Sequence, residues 1–456
     1  MSAMSPCINA RPCAYSQLYK CRLSCRLSCR LSCRPCNLMF QNKFLHSLFI
    51  VLSIPWDILV VTLRYYIFGG LNYRKYESSL LNCIKMRVLK ASLAIDMEYS
   101  YLLAPYTNGF LIRWMLPMFC STLVKDLPGL GYQYDENSLW LVKQSQSTKK
   151  DPVIIYAHGG GYFIQTIITQ LKSILAVFHL LEPEIKSKTS ILFLDYKLVG
   201  GGHPFPTQLE QLHATYCRLL DDGYSNISLM GDSAGGHLSV SYTQYLKSLN
   251  RPVEYPKNLI LISPWLNVAP QPNELVKGRS WIDNKDYDLI HYSRYAHIEN
   301  LATIFGDVDP FSLVHGIMAK VPKQRSDWDD IPNYSNKDYH TFLIFGEHES
   351  FRDDILEWAK YAFDLPWYEA VTYGNSHKLF SRQHYEFKRR NKDGNASLTA
   401  YVEPLGVHDS MLFFEDGVAD QIADNIRSGR PNSADDVDPV RYFGVVRLAN
   451  FLNETL

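Results

Sequence analysis

The segment GDSAGG at residues 231–236 is the feature that most restricts how this 456-residue chain can fold. It directly follows the apolar run Ile227–Met230, which is typical of a buried strand, and a helical pattern comes next. A Gly-x-Ser-x-Gly sequence between a strand and a helix predicts a sharp turn with a strained, exposed serine. Gly231 and Gly235 allow the strand and the helix to approach closely. We therefore expect Ser233 at a helix N-terminus, in the position of a nucleophile.

The same order of strand and helix recurs from about residue 138 onwards. The predicted strands are Leu139–Val142, Val153–Ala157, Ile191–Tyr196, Ile227–Met230, Leu259–Ile262 and Phe342–Phe345. The predicted helices are Gln170–Leu180, Gln208–Asp221 and Leu238–Leu249. This alternation indicates an α/β fold with a mostly parallel sheet and helices on both faces. Residues 270–338 break the rhythm and are predicted to form an insertion or a cap over the sheet.

A second glycine-rich segment, His158–Tyr162 (HGGGY), follows the predicted strand Val153–Ala157. Such loops donate backbone N–H groups to the negative oxygen of a tetrahedral intermediate, together with the residue after the nucleophile. We expect Gly159, Gly160 and Ala234 to be these donors. A phosphate-binding loop is the alternative, but neither of the usual phosphate-loop patterns follows. His158 and Gly161 are expected to shape the loop.

A serine nucleophile needs a general base and an acid that orients it, and in this type of fold they follow the serine in the order acid, then histidine. His408, after a β-rich run and a glycine turn, is the predicted base. The acid is expected after Phe342–Phe345, within the segment GEHESFRDD. Glu349 is the first choice, Asp353 the second and Glu347 the third.

The segments HGGGY, GDSAGG, LDYKLVGGGHPFPTQLEQL and GEHESFRDD together resemble the hormone-sensitive-lipase branch of the α/β-hydrolases. Within that branch they are most similar to fungal steryl acetyl hydrolases, over roughly residues 40–450. The resemblance implies an α/β-hydrolase fold and a serine esterase, with Ser233 as nucleophile, Glu349 as acid and His408 as base. It departs from the branch at Glu349, where aspartate is usual, and at residues 199–202 (VGGG), where the branch often has Ala-Pro-Glu.

The implied reaction releases a short acyl group, acetyl above all, from a sterol or a similar hydrophobic alcohol. It proceeds through an acyl-enzyme and requires no metal and no organic cofactor. Two other functions fit the same residues: an amidase or formamidase on this scaffold, and a binding protein for small apolar molecules without catalysis. The formal net charge of zero gives no reason to expect nucleic-acid binding.

Residues 44–70 are apolar enough and long enough to cross a membrane as a helix. The basic flank on the N-terminal side predicts a single-pass orientation with the catalytic domain, residues 71–456, in the lumen. The resemblance to the steryl acetyl hydrolases implies that the membrane is that of the endoplasmic reticulum. Pro55 and Asp57 oppose a spanning helix, so a segment lying on the membrane surface is the competing interpretation. Four glycosylation sequons permit a lumenal location, and of these Asn226 is expected to be the poorest acceptor.

The first 43 residues differ from the rest of the chain. They hold seven of the ten cysteines, several basic residues and no acidic residue. The repeated Cys-Arg-Leu-Ser motif predicts a low-complexity basic tail, with metal binding or palmitoylation as alternatives. Met39 is a conceivable translation start. Much later, the basic run Lys388–Arg390 is expected to be exposed to solvent.

Overall fold

A computed structural model describes residues 42–69, 74–249, 252–291, 298–365, 385–389 and 394–456. The cysteine-rich tail predicted for residues 1–43 therefore lies almost wholly outside the described residues. Nine strands are present in the described part of the chain. They are Gln133–Asp135 (β1), Ser138–Val142 (β2), Val153–Ala157 (β3), Ser190–Leu194 (β4), Ile227–Asp232 (β5), Asn258–Ile262 (β6), His340–Gly346 (β7), Glu386–Arg389 (β8) and Ser397–Glu403 (β9).

All nine strands belong to one sheet, in the order β1-β2-β4-β3-β5-β6-β7-β9-β8. Six neighbouring strands run parallel to one another: β4, β3, β5, β6, β7 and β9. Antiparallel strands complete both edges, with β1 and β2 at one and β8 at the other. The predicted α/β-hydrolase fold is confirmed. Each predicted strand is present, with small differences at its ends.

The longer helices are Lys43–Phe68 (α1), Leu80–Ser92 (α2), Ile168–His179 (α3), Thr207–Asp221 (α4), Ala234–Ser248 (α5), Ile298–Phe305 (α6), Arg352–Phe363 (α7), Val418–Arg427 (α8) and Phe443–Thr455 (α9). Short helices include Asn108–Phe110, Leu116–Phe119, Ser121–Val124, Pro183–Lys188, Ser280–Asp283, Leu313–Gly316, Pro332–Ser335 and Ser410–Phe413. The described part of residues 270–338 contributes helices but no strand of the sheet, and its role as a cap stays a prediction.

The sheet is buried on both faces, as β3 illustrates. All of its residues are buried, and Ile155 packs in the core with α4, α5 and α7. Ile154 and Tyr156 point to the other face and pack in the core with α3, α8 and α9. Because side chains alternate along a strand, burial on both faces requires an almost continuous apolar run. That requirement explains why these strands are recognisable in the sequence.

The expectation of a solvent-exposed basic run at Lys388–Arg390 is wrong for Arg389. This residue lies in β8, which pairs with β9. Its guanidinium donates hydrogen bonds to the carbonyl oxygens of Phe363, at 2.7 Å, and Tyr334, at 3.0 Å. Arg389 therefore joins the edge strand to the helical layer, because its five donors can bind several carbonyl groups at once.

Helix α1 is the one helix in the described residues that is long and apolar enough to cross a membrane. One side of it packs on α2, where Val61 and Cys83 form a small buried cluster. Asp57 Oδ1 lies 3.0 Å from Arg87 Nη2 of α2. The other side exposes a continuous apolar stripe made of Phe49, Leu52, Trp56, Leu59, Leu63 and Tyr66.

Helix α2 and the turn before it pack on the segment that follows β9. The ring of Tyr76 stacks on Phe414, with ring centroids 4.2 Å apart, and its hydroxyl contacts Ser410 Oγ. Lys85 of α2 forms an ion pair with Asp416. The N-terminal helices are thus attached to the part of the chain that carries His408.

Candidate active site

Ser233 lies in the sharp turn between β5 and α5. Its dihedral angles, φ 49° and ψ −113°, are outside the regions that residues with a side chain favour. A Cβ on Gly231 would lie 2.2 Å from the Gly235 carbonyl carbon, and one on Gly235 would lie 1.9 Å from Ala157 O. Only glycine fits at these two positions. The turn places the Ser233 hydroxyl at the N-terminus of α5.

His408 and Glu349 form a hydrogen-bonded chain with Ser233. His408 Nε2 lies 2.9 Å from Ser233 Oγ, and His408 Nδ1 lies 2.9 Å from Glu349 Oε1. The three residues follow the parallel strands β9, β5 and β7, whose carboxyl ends meet at the same edge of the sheet. All three side chains are buried. The arrangement is that of a serine, a base and an acid that orients the base.

The two alternative acids have other partners. Asp353 Oδ2 accepts the Ser280 N–H at 2.8 Å. Glu347 Oε2 accepts the Leu405 N–H at 2.8 Å, and its other oxygen accepts the Tyr385 hydroxyl at 2.9 Å. Of the three acids named from the sequence, Glu349 is the one bonded to His408.

Two further residues hold Glu349 in place, and sequence reasoning missed one of them entirely. Glu349 Oε2 accepts the Ser263 hydroxyl at 2.8 Å and the Gly346 N–H at 2.9 Å. Ser263 follows β6 and has a positive φ of 43°, which is uncommon for serine. The Ser263 oxygen also accepts the Asp409 N–H at 3.0 Å. The one sequence signal available was its position directly after a buried strand at the same edge.

Asp288, from the predicted insertion, is a second residue that the sequence did not single out. Its Oδ1 accepts the backbone N–H of His408 at 2.8 Å, and its Oδ2 accepts the N–H of Ser350 at 2.7 Å. Because Ser350 directly follows Glu349, a single buried carboxylate joins the segment of the base to the segment of the acid. This contact supports the short distance between His408 and Glu349.

The glycine-rich segment at residues 158–162, called the oxyanion loop below, lies next to the Ser233 turn. The Gly159 N–H donates to Asp232 Oδ1 at 2.9 Å. That bond occupies the donor in this conformation, which favours other donors, and the role of Gly159 in binding an oxyanion stays a prediction. The N–H groups of Gly160, Gly161 and Ala234 have no acceptor among the described residues. These three donors are the ones available to bind a negative oxygen.

Asp232 holds the oxyanion loop against the turn. Besides Gly159, it accepts the Tyr156 hydroxyl at 2.8 Å and the Gln170 side-chain amide at 2.7 Å. Burial raises the pKa of Asp232, while these hydrogen bonds act in the opposite direction. The middle residue of the Gly-x-Ser motif thus fixes the shape of the loop.

His158 stacks on Tyr196, with ring centroids 4.4 Å apart, and is fully buried. Its Nδ1 lies 2.6 Å from the carbonyl oxygen of Gly159. Burial lowers the pKa of His158 to about 4, so its ring is neutral at neutral pH. His158 therefore serves as an uncharged support for the loop.

His408 has the opposite character. Burial alone would lower the pKa of His408, but the carboxylates of Asp409 and Glu349 raise it well above its ordinary value. Asp409 Oδ2 lies 3.2 Å from His408 Nε2, on the side of the ring that faces Ser233. Burial, the largest effect, raises the pKa of Asp409 to about 7, while His408 acts against it.

A cavity of about 800 Å³ adjoins the oxyanion loop through Phe163, the next residue in the chain, and Tyr196, which stacks on His158. Its volume is within the range of small-molecule sites. Its wall is largely aromatic and aliphatic, and includes Tyr101, Phe110, Phe163, Tyr196 and Leu198. Gly200 and Gly201 also line it and contribute no side chain. The sequence departure at residues 199–202 therefore leaves room in the cavity.

Comparison with known proteins shows a family for this chain. A family model described as steryl acetyl hydrolase matches residues 132–380, more than half of the chain. The mug81 protein of Schizosaccharomyces pombe is 32% identical over 248 residues, which are 51% of this chain and 62% of that protein. Steryl acetyl hydrolase 1 of Saccharomyces cerevisiae is 35% identical over 126 residues, 26% of this chain and 28% of that protein. Both alignments thus span less than two thirds of the relative's length.

Solved structures give a weaker match. An esterase of the bacterial hormone-sensitive lipase family is 18% identical, with a TM-score of 0.45 over 80% of this chain and 97% of that one. The family model, which covers residues on both sides of the Ser233 turn, decides the assignment. This chain belongs to the steryl acetyl hydrolase family.

Proposed function

We propose that this protein is a serine carboxylic-ester hydrolase that removes an acetyl group from a sterol or a similar hydrophobic alcohol. The observation that carries the proposal is the buried chain of two 2.9 Å contacts from Ser233 through His408 to Glu349. Membership of the steryl acetyl hydrolase family supports the same reaction and suggests its substrate class.

In the first step Ser233 Oγ attacks the ester carbonyl carbon while His408 Nε2 takes the hydroxyl proton. Glu349 accepts the Nδ1–H and stabilises the imidazolium that forms. The negative oxygen of the tetrahedral intermediate is held by backbone N–H groups, for which we propose Gly160, Gly161 and Ala234 in place of Gly159. The imidazolium then protonates the alcohol oxygen, and the C–O bond to the alcohol breaks.

In the second step a water molecule attacks the acetyl group on Ser233. His408 takes a proton from the water and then returns it to Ser233 Oγ, which releases acetate. Neither step requires a metal or an organic cofactor. The aromatic cavity beside the oxyanion loop supports a bulky apolar alcohol, and we propose that it receives the part of the sterol remote from the ester.

The experiment is labelling with a fluorophosphonate probe together with hydrolysis of steryl acetate by the full chain in detergent. Wild type is expected to react with the probe and to release acetate, whereas Ser233→Ala is expected to do neither. Labelling that persists in Ser233→Ala contradicts the assignment of the nucleophile. Probe labelling without turnover of any ester favours the non-catalytic binder, and turnover of amides alone favours the amidase.

We further propose that α1 attaches the protein to the membrane of the endoplasmic reticulum as a single-pass anchor with the catalytic domain in the lumen. The length and apolar composition of α1 support an anchor. The exposed apolar stripe of α1 supports contact of this helix with lipid.

Glycan mapping tests the lumenal location, because the sequons differ in access. The Asn333 side chain is fully buried and donates to the Pro256 carbonyl oxygen at 2.7 Å, so a glycan there is incompatible with the fold. Asn226, expected to be the poorest acceptor, is only partly buried, as is Asn395. Glycosylation at Asn395 but not at Asn333 is the expected result. A chain from a eukaryotic host without any glycan contradicts the lumenal location.

A further inference from the structure

Asp409 lies beside the reacting atoms, yet the reaction derived above does not use it. Its side chain is 3% exposed, and its Oδ2 is 3.2 Å from His408 Nε2. Ser233 Oγ approaches the same nitrogen at 2.9 Å. Two oxygen atoms, one from a hydroxyl and one from a carboxyl group, therefore compete for one nitrogen. The other carboxyl oxygen, Oδ1, is buried and has no hydrogen-bond partner among the described residues.

The backbone keeps Asp409 in this position. The residue adopts a left-handed conformation, with φ 51° and ψ 30°, that aspartate tolerates better than most side chains. Its N–H donates to Ser263 Oγ at 3.0 Å, and Ser263 in turn donates to Glu349 Oε2 at 2.8 Å. The same network that fixes the acid therefore fixes Asp409. The contact with Nε2 is built into the site and does not depend on a mobile surface side chain.

A neutral imidazole presents a lone pair at Nε2, and an ionised carboxylate presents lone pairs at Oδ2. Two acceptors facing each other at 3.2 Å repel, so the pair is stable when it holds one proton between them. While that proton is present, Nε2 cannot accept the proton of Ser233. Once the proton has gone to solvent, Nε2 is free to act as the base.

We propose that Asp409 and His408 form a proton-sharing pair, and that loss of the shared proton switches Ser233 to its reactive form. This inference rests on the proposed function, since it concerns the same serine. After the proton is lost, Asp409 has a second effect. The proton that Nε2 takes from Ser233 creates an imidazolium, which the neighbouring carboxylate stabilises until the proton passes to the leaving alcohol oxygen. Asp409 therefore makes His408 a stronger base above the switching pH and an inactive one below it.

Other charged groups act on the pair as well. Glu349 faces Nδ1 of the ring, and Asp288 accepts the His408 backbone N–H. Asp232 of β5 and the Tyr156 hydroxyl of β3 also act electrostatically on Asp409. Three carboxyl groups besides Asp409 thus surround the imidazole, and each of them favours a bound proton. Of the four carboxyl groups, Asp409 alone contacts Nε2 with its side chain. Its removal therefore tests the shared proton while the electrostatic effect of the other three carboxyl groups is kept.

The test compares wild type, Asp409→Gly and Asp409→Asn by the rate at which a fluorophosphonate labels Ser233 across a pH series. Glycine adopts a positive φ without strain, and asparagine keeps the shape but carries no charge. Without the carboxylate, the acid limb of the labelling rate is expected to move down by about one pH unit or more, as for the loss of an opposite charge at this distance. The two profiles then cross: the variants label faster than wild type below the wild-type limb and more slowly on the alkaline plateau.

The crossing separates this inference from mere destabilisation, because a loosened site does not react faster at low pH. Asp327→Asn is the matched control, since Asp327 is another buried carboxylate whose partner, Lys320 Nζ at 2.6 Å, lies away from His408. Its limb is expected to match that of wild type. Identical limbs in wild type and in whichever Asp409 variant folds would overturn the inference.

Labelling reports the reactivity of Ser233 whatever the natural ester is. If the protein does not hydrolyse steryl acetate but the pH profiles of wild type and the Asp409 variants cross, the proposed substrate is wrong and the switch is supported. If Ser233→Ala is still labelled, the assignment of the nucleophile is wrong, and the Asp409 variants do not bear on that result. If both Asp409 variants fail to fold, the pH dependence of labelling in wild type is the test. A midpoint of its acid limb at or below the ordinary histidine pKa of about 6.5 overturns the inference.

Discussion

Two buried histidines at the same edge of the sheet have opposite environments. His158, in the oxyanion loop, stacks on Tyr196 and faces a backbone carbonyl oxygen, and its pKa is lowered to about 4. His408 faces the carboxylates of Glu349 and Asp409, and its pKa is raised well above the ordinary value. Burial is equal in the two cases, so the neighbouring carboxylates decide the protonation. One histidine shapes the site, while the other can exchange protons within it.

The largest expected effect separates the two histidines directly. His408→Gln is expected to lower kcat for a small ester such as p-nitrophenyl acetate by on the order of 10⁴ or more, because the proposed general base is lost. His158→Gln is expected to lower kcat by less than about tenfold, since His158 exchanges no proton with Ser233, and to reduce the melting temperature instead. Steady-state kinetics with thermal unfolding of both variants measures this. Equal losses of kcat would contradict the distinction.

The second effect concerns the loop that His158 supports. Gly160 has a φ of 111°, and a Cβ at this position would lie 2.6 Å from Ile164 O. Gly160→Ala should therefore displace the backbone donors and lower kcat by about 10²–10³ with little change in KM. Gly202→Ala is the matched control, because Gly202 also has a positive φ, of 83°, but has open space around it. A similar loss of kcat in both variants would point to backbone strain in place of lost oxyanion binding.

A smaller effect is expected in binding, on the side of the cavity. Gly201 lines the cavity, and a Cβ at this position would lie 3.5 Å from His203 Cδ2, an ordinary contact distance. Gly201→Leu should fold and fill part of the space, raising KM for steryl acetate about tenfold, the equivalent of ~1.4 kcal/mol of binding. The kinetics of p-nitrophenyl acetate should stay unchanged. An equal rise in KM for both esters would show that the sterol does not occupy the cavity.

The smallest expected effect is seen in the dependence of kcat/KM on pH. A base must be unprotonated to act, so a raised pKa of His408 means that kcat/KM falls as the pH drops through a value above about 6.5. His158, with a pKa of about 4, is already neutral there and adds no second limb. A single acid limb, unchanged in His158→Gln, is the expected profile. If the acid limb disappears in His158→Gln, the limb reports the titration of His158 and not that of His408.

The sequence predicted the parts of the molecule that depend on local pattern. The strands are buried on both faces and therefore appear as short apolar runs, and the Ser233 turn needs glycines at fixed positions. The order along the chain was enough to name His408. The choice among the acids stayed open, because Glu347, Glu349 and Asp353 occupy one short segment and differ only in where the folded chain directs them.

Other parts depend on contacts between distant segments, which no local pattern encodes. Asp288 meets His408 across 120 positions of the chain, and Ser263 meets Asp409 across 146. The glycine-rich motif predicted an oxyanion loop but not the direction of each N–H. The Gly159 N–H is bonded to Asp232. Asp232 occupies the variable position of the Gly-x-Ser motif, and the motif does not indicate that its side chain accepts this bond.

The attachment of α2 to the segment after β9 has a practical consequence for producing the protein without its apolar helix. A shortened chain should begin before Arg74, since Tyr76 and Lys85 brace the stretch that carries His408. Removal of α1 would uncover Cys83 and leave Arg87 without its acidic partner. A shortened form should therefore keep α2, which supports the catalytic domain, and carry a polar residue at position 83. The polar residue avoids an exposed apolar patch that would favour aggregation.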